Sequence, residues 1–125
     1  MLVTWLVATA LVAADVARCE SGHRFDDGAA VLEVARTRAR LWRRPLLSVL
    51  LQPWQHRHGC PTRPRTWHWR HLELGARAVT GQLQAPAFTR VALHYVGDYD
   101  VPDQCERWRA VPVGRVVHTY CAPVR

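Results

Sequence analysis

Residues 2–14 (LVTWLVATALVAA) carry no charge. A stretch this apolar has to be buried, inserted into lipid or removed, because water is a poor solvent for it. Its thirteen residues fall short of the ~20 that a helix needs to cross a bilayer. Val12 and Ala14 are small residues at −3 and −1 of a cleavage before Asp15, the pattern of a secretory signal. The run departs from that pattern in having no Arg or Lys ahead of it. The expectation is a signal peptide over 1–14 and a single domain over 15–125. The product is secreted, with no membrane span once the signal is cut.

Cys19, Cys60, Cys105 and Cys121 all lie beyond the expected cleavage point. An even cysteine count in a small secreted chain predicts two disulfides. Residues 105–111 and 115–121 are equal in length and read as strands around Pro112-Val113-Gly114, a three-residue hairpin loop. Val111 then faces Arg115, and counting outward sets Cys105 opposite Cys121. The pairs expected are Cys105–Cys121 and, by exclusion, Cys19–Cys60. In that register Glu106, Trp108, Ala110, Val116, His118 and Tyr120 share one mostly apolar face.

Between these landmarks the hydrophobic period changes. Asp26-Asp27-Gly28 can open a helix, with its acids at the positive end of the dipole. Val31, Val34, Ala35, Ala39 and Trp42 recur at helical spacing, predicting a helix over 27–44 that Pro45 ends, kinks or follows with a new one. Residues 46–51 (LLSVLL) fit a buried helical turn or a buried strand equally well. Residues 53–65 hold three Pro and one Gly and read as a loop. From 66 to 73 the pattern alternates, with Trp67, Trp69 and His71 opposite His68, Arg70 and Leu72. That predicts a strand, with Leu74-Gly75-Ala76 as a turn and 77–84 pairing back. Residues 89–96 supply a further strand. The expected fold is α+β: one N-terminal helical region packed on an antiparallel sheet of about five strands.

All 17 basic residues are Arg, and Lys, Asn and Ile are absent. Their joint absence reads as the coding habit of a GC-rich genome. It excludes N-linked glycosylation and any Schiff-base or P-loop lysine. Ten acids leave a net charge of +7. The charge is segregated: residues 34–90 hold eleven Arg against one acid, Glu73. Guanidinium groups match sulfate and phosphate in a bidentate way. Arg36, Arg40, Arg43 and Arg44 on the helix and Arg57, Arg63, Arg65 and Arg70 after it are therefore the candidate anion-binding residues. Trp67 and Trp69 are the contact aromatics. For a secreted chain the partner is a heparin-like glycosaminoglycan or a cell-surface or envelope protein. Nucleic acid becomes the partner only if the chain is intracellular.

Other constellations are weaker. His56, His58 and Cys60 alternate, and His68 and His71 follow. Their spacing fits none of the paired-Cys or H-x₃₋₅-H ligand patterns. These four histidines are the candidates for a metal-binding module, and no metal or cofactor is assigned. Asp98, Asp100 and Asp103 lack the Gly and distal Glu of a calcium loop and read as a capped turn. Ser21 and Ser48 sit in no nucleophile elbow. Glu73, His94 and His118, with Arg on phosphate, form the alternative of a histidine-dependent nuclease. The first reading is a small secreted binding protein rather than an enzyme.

Overall fold

A computed structural model describes residues 2–53 and 56–85 with their side chains. It describes the backbone alone of residues 94–97, 105–113 and 116–123. Four helices come first: α1 (Leu2–Ser21), α2 (Phe25–Trp42), α3 (Leu46–Leu50) and α4 (Trp69–Thr80). Three strands follow, β1 (His94–Gly97), β2 (Cys105–Val113) and β3 (Val116–Pro123).

The first helix owes its form to Ala and Leu, both strong helix formers. It does not stop at the expected cleavage point but runs through it to Ser21. Ala13, Ala14, Val16 and Ala17 are fully buried. Gly22, in the left-handed region at φ +54°, turns the chain into α2. Asp26 and Asp27 occupy the first turn of α2, where acids offset the helix dipole. Asp27 is itself buried and accepts a 2.6 Å bond from Ser21 Oγ. The helix ends at Arg43, left-handed at φ 52°, and Pro45 begins the short α3.

α2 is the central element. Ala29, Ala30, Val31, Leu32, Val34 and Ala35 are all buried on it, and α1, α3 and α4 surround them. Val49 and Leu50 of α3 and Leu74 and Ala78 of α4 complete the core. The tightest approach is between α1 and α4. A Cβ at Gly75 would overlap the Ala10 carbonyl and press on the Ala14 methyl, so only glycine lets these two helices lie this close. The fixed contacts also set direction: His71 meets Gly22 while Ala78 and Val79 lie beside Trp5 and Leu6. α1 and α4 therefore run antiparallel.

This architecture overturns the expected α+β fold. The described core is helical throughout, and residues 69–80, read as strand, turn and strand, form one helix. Its buried residues His71, Leu74, Gly75 and Ala78 have the 3–4 spacing of a helix face, which outweighs the two-residue alternation around the tryptophans. The capping is done by histidines. His68 Nδ1 accepts from the Arg70 amide at 3.2 Å, and His71 Nδ1 accepts from the His68 amide at 2.9 Å. These bonds satisfy N–H groups that a helix start leaves open.

The backbone sheet has the order β1-β3-β2 and is antiparallel throughout. Its hairpin also departs from expectation. Val113 pairs with Val116 and Val111 with His118, leaving two residues between the strands instead of three. Cys121 then stands opposite Trp108, and Cys105 opposite Pro123 after a bulge. The register that set Cys105 against Cys121 is not the one formed, and the two halves of the expected apolar face no longer coincide. The side chains of that cysteine pair lie outside the described residues.

Candidate anion-binding face

Arg18 organises the loop that carries four of the ten candidate residues, Arg57, Arg63, Arg65 and Trp67. It is almost fully buried. Its Nε and Nη2 donate to Asp15 Oδ1 at 3.1 and 2.7 Å. Nη2 also donates to the Cys60 carbonyl at 2.9 Å, and Nη1 to the Pro61 and Arg65 carbonyls at 3.2 and 2.6 Å. A guanidinium has five N–H donors, and here all five have partners. The Trp67 ring covers its flat face at 4.6 Å. Asp15 Oδ2 accepts the Gly59 amide, and the Cys19–Cys60 disulfide, with Cα atoms 5.7 Å apart, fastens the same loop to α1. Sequence reasoning missed this hub: it took Asp15 as the residue after a cleavage point and gave Arg18 no part. The available signal was the Asp15/Arg18 spacing of three, which puts the two on one helix face.

Around the α4 N-terminus the loop presents a ring cluster. His23 lies 5.7 Å from Phe25, 5.6 Å from His68 and 5.7 Å from His71. His71 is buried, and burial pushes its pKa below the ordinary value. Both ring nitrogens are engaged, because Nδ1 accepts the His68 amide and Nε2–H donates to the Gly22 carbonyl at 2.7 Å. This histidine is a capping residue with no ring nitrogen left for a metal. Trp67 and Trp69 remain 45% and 61% exposed. The Arg70 guanidinium packs 5.5 Å from the Trp69 ring and 5.4 Å from Phe25, within range of a cation–π contact. Beside them opens a cleft of about 390 Å³ between the first turns of α2 and α4. Asp26, Glu73 and Arg77 also line it. Arg24, bonded to Asp26 at 3.1 Å, holds that carboxyl below its usual pKa, and Glu73 faces Arg77 at 3.9 Å.

The expected basic face is not continuous. α2 has 18 residues and so is about 27 Å long. Phe25 at one end of it touches Arg70, whereas Arg40, Arg43 and Arg44 are exposed at the other. Arg57, Arg63, Arg65, Trp67, Trp69 and Arg70 belong to the loop end. Arg36 belongs to neither set: it bonds Glu33 at 3.5 Å and lies against Gly81. Arg38, on the same helix, is buried against the Trp42 ring and His56.

The four metal candidates are separated too. His56 is buried beside Arg38, with its pKa driven down to about 3 by burial, helped by the Arg38 and His58 charges. His58 is exposed, Cys60 is oxidised, and His68 and His71 cap α4. Among the described residues no three His, Cys, Asp or Glu converge on a metal position. Glu73 lies on α4, while the side chains of His94 and His118 and the whole of Asp98, Asp100 and Asp103 fall outside the described residues. An apolar N-terminal helix together with a disulfide is compatible with export to an oxidising compartment. Comparison with family models, curated proteins and solved structures finds no match to this chain.

Proposed function

We propose that this chain is an exported, secreted binding protein that holds an anionic glycan at its loop end. The observation that carries the reading is Arg70, an exposed guanidinium laid across Trp69 and Phe25 at the mouth of the 390 Å³ cleft. Flat exposed indole faces suit the apolar faces of sugar rings, and a guanidinium so placed suits sulfate or carboxylate. Arg57, Arg63 and Arg65 extend the positive field along the loop. Asp26 and Glu73, each already facing an Arg, supply acceptors for sugar hydroxyls. The loop is held in place before any ligand arrives, by Arg18 and the disulfide, so little ordering cost falls on binding.

The test is titration with a size-defined heparin oligosaccharide. Trp69→Ala and Arg70→Ala should each weaken binding about tenfold or more, the scale of a lost charge-assisted contact. The pair Arg43→Gln and Arg44→Gln, at the far end, should leave it within about twofold. Equal losses from both pairs would reduce the affinity to net charge and sink the reading, as would no binding at all by the folded protein.

A further inference from the structure

The opposite end of the molecule has a different chemistry. Val3, Val7 and Leu11 are spaced by four on α1 and form an outward stripe, with Val3 73% and Leu11 53% exposed. Trp5 and Leu6, exposed on other sides of the same turns, line with Arg36, Ala39 and Leu46 a shallow cleft of about 210 Å³. That cleft joins the first half of α1 to the last turns of α2, where Leu41 is 58% and Trp42 41% exposed. Arg40, Arg43 and Arg44 stand exposed on those same turns. No acid occurs in the sequence between Glu33 and Glu73 or before Asp15, and among the described residues Glu33 meets the cleft lining through its 3.5 Å bond to Arg36.

We propose that this end docks on an anionic lipid bilayer, with the first half of α1 and Leu41 and Trp42 entering the headgroup region. An exposed apolar end that carries tryptophans and arginines has the composition of a surface that settles in the membrane interface. The arginines meet lipid phosphates while the indoles settle at the boundary with the acyl chains. The second half of α1 is occupied by the protein core, since Ala13, Ala14, Val16 and Ala17 pack against α2 and α4. The helix therefore enters no deeper than its first half and does not cross the membrane. Docking requires that residues 1–14 stay attached. Their loss would strip Ala13 and Ala14 from the core and leave Gly75 of α4 facing nothing.

The experiment is flotation of the full chain with vesicles of phosphatidylcholine alone or mixed with phosphatidylglycerol, read alongside Trp quenching by brominated lipid. Binding should need the anionic lipid, weaken steeply with salt and quench Trp fluorescence. Replacing Arg40, Arg43 and Arg44 together by Gln should weaken it on the order of a hundredfold, given roughly fivefold per arginine near such a surface. Val3→Glu with Val7→Glu should abolish it while the far-UV spectrum is unchanged, because both positions face outward. Trp69→Ala should have no effect, which separates this proposal from the glycan reading. The proposal is overturned by a folded protein that ignores both vesicle types, or by binding that survives the Val3/Val7 pair. It is equally overturned by resistance to alkaline extraction, which would mean a true span, and by a dimer that the same variants dissociate, which would assign the face to a second copy.

Discussion

His56 shows what a single residue contributes here. Unfolded, it takes up a proton near the ordinary histidine value of 6.5; folded, burial and the Arg38 charge delay this to about 3. The unfolded state thus binds more protons between those values, and stability falls as pH drops through that window. The loss approaches ~1.4 kcal/mol for each pH unit. His71, also pushed down by burial, acts with the same sign. Urea midpoints measured from pH 7.5 to 4 should fall steadily, and His56→Gln should flatten the curve. Gly75 is the second such residue. Gly→Ala inside a helix ordinarily stabilises by nearly 1 kcal/mol. At Gly75 the added methyl meets the Ala10 carbonyl, so Gly75→Ala should instead destabilise, by about 1–3 kcal/mol, in the same urea assay.

At the scale of elements, the loop between α3 and α4 depends on two anchors. Arg18→Ala leaves the Cys60, Pro61 and Arg65 carbonyls without their donor and Asp15 without its cation. The expected cost is about 3 kcal/mol or more. Arg18→Lys should recover little, since an ammonium cannot reproduce the planar fork. Reducing the Cys19–Cys60 bond opens a loop with a sequence separation of 41, worth about 4 kcal/mol on chain-entropy grounds. A thermal scan with and without reductant measures it. These elements also show what a sequence can reveal. α2 was legible because its apolar residues repeat at helical spacing and acids open it. α4 was not, because Trp67, Trp69 and His71 alternate with polar residues over its start, and Leu74-Gly75-Ala76 resembles a turn. Its helical signal lay in His71, Leu74 and Ala78, and its capping in histidines, which are seldom read as caps. The hairpin was visible as two strands, yet its register rested on assigning Pro112-Val113-Gly114 to the turn, and pairing begins instead at Val113 and Val116.

At the scale of the whole molecule, the candidate arginines of the helix and of the loop are near one another in sequence. The bundle separates them by the length of α2, an arrangement that no local pattern encodes. Of the candidate site, Trp67, Trp69 and Arg70 do lie together, while Arg40, Arg43 and Arg44 belong to another face. The same bundle makes α1 integral to the core. Intact mass of the protein made in a secretory host should therefore retain residues 1–14, and a chain starting at Asp15 should lose its cooperative unfolding transition.

The contact between Gly75 and the Ala10 carbonyl has one more consequence. Because it admits no side chain, the contact seats the Ala10 turn of α1 directly on the α4 backbone. A shift by even one residue would rotate a different side of α1 toward the glycine. The distance by which Val3 and Val7 stand out from the bundle is thus built in and does not adjust to its surroundings. On a bilayer this contact would work as a depth stop: lipid would set how often the protein lands, and a glycine how far it sinks.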